Sequence, residues 1–259
     1  MSFIKDFWEE QGKTHRESHA ASWKDIHAIN LEIDNIKRFI KGGDVVIDVG
    51  CANGYSTFRQ FEINGDAKYV GIDYAEAMIE SAKTAQSNRS IPDSSVTFKV
   101  ASVLDLPFDD ATFDVAYTTR VLINLPSWDE QKKGIVEALR VVRPGGVLVI
   151  SEGFWEPLCK LNSLRLMFGL EPLVEHDFNR YLKKTRLEEW LKSADLDFEN
   201  EDFSSLYYLG SRLIRETVKE ENTPWGDYSS GINQFFYDLE QKYTGIGVGV
   251  QQSYAIRKP

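Results

Sequence analysis

The chain has 259 residues, 42% hydrophobic and 12% aromatic, enough apolar material for a core, which excludes wholesale disorder. Forty acidic against thirty basic residues set the formal net charge at −10; this excludes the broad basic footprint of a nucleic-acid binder but leaves room for a local small-anion pocket. No apolar run is long enough to span a bilayer, the start Met-Ser-Phe-Ile-Lys-Asp has no signal-peptide profile, and Cys51 and Cys159 make no disulfide framework, so a cytoplasmic protein working away from membranes is expected.

Residues 1–40 are polar and aromatic, with helical spacing in Ile26, Ile29, Leu31, Ile33, Ile36 and Ile40, and Lys41-Gly42-Gly43-Asp44 ends that helix. Apolar runs at 45–49, 69–72, 96–100, 113–118 and 146–151 then alternate with helical patterns near 54–63, 75–86 and 129–142. Alternation of this kind predicts an α/β fold with a parallel sheet and right-handed crossovers. Arg140-Val-Val-Arg-Pro-Gly-Gly146 reads as a helix end, a Pro-Gly-Gly turn and the approach to a fifth strand. The last third carries helical patterns near 159–170, 185–194, 205–221 and 231–243, an extended candidate at 198–204 and a final extended stretch at 249–257. Paired at the sheet edge, the last two would enclose a helical insertion of some forty residues, a place for a substrate lid. The organisation expected is a helical lid over 1–40, a core over 41–154, a helical cap over 155–245 and a C-terminal strand over 246–259.

The turn Asp48-Val-Gly50-Cys51-Ala52-Asn53-Gly54-Tyr55 follows the first strand. Its spacing is Asp-x-Gly-x-Ala-x-Gly, not the Gly-x-Gly-x-x-Gly of a dinucleotide pyrophosphate turn. Asp48 can order the turn, Gly50, Ala52 and Gly54 keep side chains out of a ligand's way, and Tyr55, Ser56 and Thr57 begin a helix whose amides suit a carboxylate. About twenty residues on, Tyr69-Val-Gly-Ile-Asp73 ends a second strand in an acid placed for ribose hydroxyls. The third strand leads into Ala101-Ser102-Val103-Leu104-Asp105-Leu106-Pro107-Phe108, where Asp105 reads as a turn cap.

These motifs, with Phe113-Asp-Val-Ala-Tyr117 and the Pro-Gly-Gly approach to strand five, resemble the class I S-adenosylmethionine-dependent methyltransferases over residues 45–152. The resemblance implies a Rossmann-like, seven-stranded sheet with its last strand antiparallel, and S-adenosylmethionine as cofactor with S-adenosylhomocysteine as product. It places the cofactor against Asp48, Gly50, Cys51, Ala52, Gly54, Tyr55, Ser56, Asp73, Tyr74, Met78, Ala101, Ser102, Val103 and Thr119. Ser102 stands where the family usually has an acid facing the adenine amino group, and Val103 would pack on the ring.

Ligands of open α/β sheets collect beyond the carboxyl ends of the strands. Arg120-Val-Leu-Ile-Asn-Leu125, Glu152, Leu161-Asn-Ser-Leu-Arg165 and Asn179-Arg-Tyr181 resemble a subgroup of methyltransferases from bacterial surface-polysaccharide and secondary-metabolite gene clusters. On that basis Arg120, Glu152 and His176 are the catalytic candidates: Arg120 pairs with Glu152 or clamps an anion, and His176 is the candidate general base. Arg120, Asn124, Asn162, Arg165, Asn179 and Tyr181 are candidates for holding a small polar or anionic acceptor. Arg165 and Arg180 read equally as surface charges, Asn162 as a backbone bridge, and Trp23 as core packing or part of a lid. His15 and His19 share one face if the helix runs through both, but nothing else has metal-ligand spacing, so no metal is expected.

The function expected is O-methylation of a sugar, a nucleotide-linked sugar or a phosphate- or phosphoramidate-bearing metabolite. The alternatives are N- or C-methylation of a small metabolite, a nucleotide-dependent oxidoreductase, or a non-catalytic partner subunit. Oligomeric state stays open, with Trp225 and Tyr228 either marking an interface or packing the insertion.

Overall fold

The computed structural model describes residues 2–218 and 228–259, so Trp225 lies outside the described residues. The chain opens with α1 (Ser2–His15) and α2 (Ile26–Ile36), then alternates β1 (Val45–Val49), α3 (Tyr55–Ile63), β2 (Lys68–Asp73), α4 (Glu76–Asn88) and β3 (Val96–Val100). After β4 (Phe113–Thr119) come α5 (Trp128–Val141), β5 (Val142–Gly153), α6 (Trp155–Met167), α7 (Lys184–Ser193) and β6 (Asp197–Glu201). A cap of α8 (Ser205–Leu209), a π-type turn (Gly210–Ile214), α9 (Arg215–Thr217) and α10 (Gly231–Glu240) precedes β7 (Gln251–Arg257).

The seven strands form one sheet in the order β3-β2-β1-β4-β5-β7-β6. The first five strands in that order pair in parallel, and β7 runs antiparallel to both β5 and β6. This is the Rossmann-like arrangement expected, with the reversed strand made by the C-terminal segment. Crossovers leave β1 and β4 in opposite directions, which opens a crevice beyond their carboxyl ends. Both faces of the sheet are covered, so β1, β4 and β5 read as almost continuous apolar runs.

Several boundaries differ from the sequence reading. Strand six stops at Glu201 rather than 204, because the Asp202 carboxylate accepts the Gly247 N–H (2.9 Å) and the Ser205 hydroxyl and turns the chain into the cap. The Pro-Gly-Gly segment is a bulge inside β5 rather than a turn before it: Phe113 faces Val142, but Val115 faces Val147. The bulge is held by Lys258, which accepts from the Gly145 N–H (2.8 Å) and donates to the Gly146 carbonyl (3.0 Å). Helix α6 starts at Trp155, well before 159, since Pro157 falls in its first turn where no helical N–H is needed. His15 and His19 do not share a helix face: α1 ends at His15, and Arg16 follows at φ 46°.

Candidate active site

The β1 turn is built around left-handed backbone. Gly50, Ala52 and Gly54 have φ values of 80°, 48° and 78°, and the N–H groups of Gly50 and Cys51 both donate to the Ile72 carbonyl (2.7 and 2.8 Å). A Cβ at Gly50 would lie 2.2 Å from Val121 Cγ2, so this glycine lets the β1 turn approach the loop after β4. At Gly54 the clash would be with Phe98 at 2.7 Å, so its small size serves the core rather than a ligand. Asp73 locks the turn to β2: its carboxylate accepts the Ala52 N–H (3.0 Å) and the Ala75 N–H (2.9 Å). Burial pushes the Asp73 carboxyl up to about 6, against the opposing pull of those N–H donors.

A cavity of about 380 Å³ opens beyond these strand ends. Gly50, Ala52 and Asp73 line one side, and Tyr74, Ala101, Ser102 and Val103 another. Thr119, Arg120 and Asn124 complete the wall from the loop after β4. Of the other expected cofactor residues, Asp48, Cys51, Gly54, Tyr55, Ser56 and Met78 stand behind the wall or beside it. Asp48 is buried and accepts the Thr57 hydroxyl (2.6 Å), with its carboxyl pushed up to about 7 by burial. Met78 is buried in a small cluster with Ala21 and Ala75, and the Tyr55 ring lies 5.7 Å from that of His19.

The donor set fits an adenosyl amino acid. Asp73 offers a carboxylate at the cavity, the wall near Val103 is apolar, and Gly50 and Ala52 bring the backbone of the β1 turn to the wall. Ser102 does not hang free: its hydroxyl accepts the Leu104 N–H (3.2 Å), while the Asp105 N–H, not its exposed carboxylate, closes the turn onto the Ser102 carbonyl (3.0 Å).

Arg120 and Glu152 do not pair. The Arg120 guanidinium meets the buried Glu32 carboxylate of α2, stands over the Trp23 ring at 4.8 Å and reaches the Ser22 hydroxyl at 3.5 Å. Glu152 instead lies fully buried beneath the loop, where it accepts the Thr118 hydroxyl (2.8 Å) and the N–H groups of Val121 (3.0 Å), Leu122 (3.1 Å) and Ile123 (3.3 Å). Desolvation pushes its carboxyl up to about 7. Surrounded by donors and sealed from the cavity, Glu152 shapes the loop rather than touching a ligand. Asn124 donates to the Arg120 carbonyl (2.7 Å) and leaves its buried Oδ1 without a protein partner.

The remaining acceptor candidates are dispersed. His176 is exposed and stacks on Phe178 and Phe7 (ring centroids 4.5 and 6.0 Å apart), outside the cavity wall. Asn162 makes a two-way bridge to the Leu173 backbone (2.8 Å each way). Arg165 is buried, not a surface charge, in a fork onto Glu216 (2.8 and 2.9 Å) and the Arg212 carbonyl. Asn179 donates its N–H to the His176 carbonyl (2.8 Å), and Tyr181 packs its ring against Gly153. Tyr228 is drawn inward, with the Arg212 guanidinium 4.7 Å from its ring.

The sequence reading expected a lid over 1–40 but did not name the residues of α1 that line the cavity. Ile4 and Trp8 of α1 line it, four apart on one face, together with Ser22. Glu9 fixes α1 by accepting the Glu76 and Ala77 N–H groups at the start of α4 (2.9 Å each), and Gly12 allows the two helices to touch. Asn53, in the middle of the β1 turn, donates to the Arg16 and Ser18 carbonyls (2.5 and 2.8 Å). The Ile4–Trp8 spacing was the available signal, diluted by the polar residues around it. Among the described residues no group of His, Cys, Asp and Glu side chains could hold a metal, and no helix is long and apolar enough to cross a membrane.

Residues 40–195 match the family model described as a methyltransferase domain. The chain belongs to this methyltransferase family. It is 36% identical over 110 residues to the O-methyltransferase cnsE of Penicillium expansum, covering 42% of this chain and 38% of that protein. Among the first curated relatives the match spans 38–60% of their length. Solved structures share the fold across most of the chain. The (4+2)-cyclase SpnF has a TM-score of 0.59 at 22% identity, over 90% of this chain and 82% of that one. A geranyl diphosphate methyltransferase solved with S-adenosylmethionine has a TM-score of 0.57 at 17% identity, over 88% and 84%. The matched region of this methyltransferase domain contains every wall residue of the cavity contributed by the β1 turn, Asp73, Ser102 and the loop after β4.

Proposed function

We propose that this chain methylates an oxygen of a small polar or anionic acceptor, using S-adenosylmethionine. The observation that carries the reading is the cavity at the β1–β4 crevice, where the Gly50 turn, the Asp73 carboxylate and the Arg120–Asn124 pair face one space. When bound, the cofactor supplies a methyl group on a cationic sulfur, ready for direct displacement. Asp73 is the group to receive the ribose hydroxyls, Tyr74, Ser102 and Val103 surround the adenine, and Gly50, Ala52 and Thr119 border the amino-acid end. The protein then contributes alignment and exclusion of water, with α1 covering the space.

Arg120 and Asn124 stand on the wall that an acceptor must use. Asn124 leaves its Oδ1 without a protein partner, and Arg120, although shared with Glu32, brings a cation to the same wall, where an oxyanion is favoured. Because His176 stands outside the wall, the reading favours an acceptor oxygen that is already acidic or charged over one needing His176 as base. A sugar phosphate, a nucleotide-linked sugar or another phosphate-bearing metabolite of surface-polysaccharide assembly meets that description.

Calorimetry with S-adenosylhomocysteine against NAD tests the cofactor. Saturable binding of the homocysteine product, lost in Asp73→Ala, is expected; binding of NAD alone would defeat the reading and revive an oxidoreductase. Failure to bind either ligand would favour a non-catalytic subunit. For the acceptor, labelled cofactor and a panel of nucleotide sugars should give transfer whose pH profile is unchanged in His176→Asn.

A further inference from the structure

A second groove of about 340 Å³ lies behind the first cavity. Trp128 and Trp155 line it, with Arg180, Lys183 and Arg186 supplying three cations and Glu175 one acid. In a chain of net charge −10, such a local surplus is out of character. Glu175 is already committed, since its carboxylate accepts the Tyr181 N–H at 2.5 Å. Arg180 donates to the Asp177 and Asn179 carbonyls (3.1 and 2.6 Å), bonds that orient the guanidinium without cancelling its charge. Lys183 and Arg186 form no ion pair among the described residues.

The position of these two cations adds an independent argument. Lys183 is the N-cap of α7 and Arg186 lies in its first turn, the positive end of the helix dipole, where acids are favoured and cations are not. No acid occurs in that turn. The helix end itself is closed to a ligand, because the Glu156 carboxylate accepts the Lys184 and Thr185 N–H groups (2.8 and 3.2 Å). The two side chains line the groove instead, and an anion between them would relieve the repulsion.

The groove and the first cavity lie on either side of a shared wall. Pro126 borders both spaces. The Arg180 N–H donates to the Ile123 carbonyl (2.7 Å), and buried Gln131 bridges the Leu122 and Arg180 carbonyls (3.2 and 2.7 Å). An anion in the groove would therefore lie across the wall from Arg120 and Asn124, beside Trp155, which is 39% exposed.

The geometry points to this groove as a binding site, across the wall from the first cavity, for a planar ring carrying a phosphate or carboxylate. The ring lies against Trp155, and Lys183, Arg186 and Arg180 bind the negative charge. This inference rests on the methyltransferase reading for what lies across that wall but not for the groove itself. Two probes separate the sources of such an anion: uridine diphosphate for a nucleotide and 1-naphthoate for an aromatic acid. Each is titrated calorimetrically into the protein saturated with S-adenosylhomocysteine. At least one is expected to bind saturably, with affinity falling about tenfold or more in Lys183→Ala/Arg186→Ala and unchanged in Leu166→Ala, a remote surface control. S-adenosylhomocysteine binding should survive the double variant, which also reports that it is folded. With the unmodified protein, added salt should weaken the probe several-fold. Absence of saturable binding by both probes, or binding indifferent to salt and to the double variant, overturns the site. Should S-adenosylhomocysteine itself fail to bind, the same titration on the chain alone still judges the groove, so the two failures are distinguishable.

Discussion

Glu152 shows how a single residue can govern a site it does not touch. Its four donors come from Thr118 and three successive N–H groups of the loop that carries Arg120 at φ 56°, a left-handed conformation costly for a side chain of that size. The carboxylate thus holds open a loop whose other face is the cavity wall. Replacing Glu152 by Gln leaves one acceptor oxygen and turns an NH2 group toward donors. A loss of about 1–3 kcal/mol in denaturant stability is expected. Turnover should fall on the order of 10- to 100-fold, because the loop no longer presents Arg120 and Asn124 in register. S-adenosylhomocysteine affinity should change little, and a variant that lost cofactor binding but kept turnover per bound cofactor would refute this division of labour. At this scale strand-end position was enough to place Asp73 and Gly50 at the cavity. It was not enough for Arg120, whose partner Glu32 lies 88 positions away in another element.

Elements were read best where burial imposes a period. The five parallel strands have near-continuous apolar runs and fall where the pattern places them, with ends shifted by hydrogen bonds that the pattern does not encode. Helix α1 was not separated from its polar surroundings, because its contacts are with α4 and the cavity rather than with the sheet. Two long-range devices fix it: the Glu9 cap on α4 and the Asn53 tether to Arg16 and Ser18. Asn53 belongs to the same turn as Gly50, so the turn that borders the cavity also holds the cover over it. Asn53→Ala should therefore free the segment joining α1 to α2. The expected result is faster release of S-adenosylhomocysteine by about tenfold, as two hydrogen bonds to a buried amide are lost, with earlier proteolytic cleavage near residues 16–24. Stopped-flow release and limited proteolysis measure the two effects; unchanged release alongside faster cleavage would show that the tether holds the segment without covering the ligand.

The whole molecule is a sheet whose carboxyl-end crevice is underlain by buried polar groups. The parallel sheet followed from alternation and the reversed last strand from the family resemblance, while the cap's contacts followed from neither, since Asp25, Tyr207 and Arg212 meet only after the chain has returned across some 180 positions. The concentration of buried acids has a consequence for stability. Asp48, Glu152 and Glu240 are pushed up to about 7 and Asp73 to about 6, in each case chiefly by desolvation. In the unfolded chain these groups release their protons near pH 4, whereas the folded protein retains them until pH 6–7. Their contribution to stability is therefore fully present below the unfolded values and is lost as pH rises through the folded ones. Glu137 and Glu156 shift the other way, held down mainly by Arg140 and, against the opposing effect of burial, by the α7 amides; their contribution is lost only as pH falls below the usual glutamate value. Between pH 5 and 7.5 the raised groups govern, so the midpoint of thermal unfolding should fall steadily across that interval at constant ionic strength. Asp48→Asn, which keeps an acceptor for Thr57 but cannot ionise, should flatten the slope. A midpoint that stays level or rises from pH 5 to 7.5, or a slope indifferent to Asp48→Asn, would mean that water reaches these carboxylates.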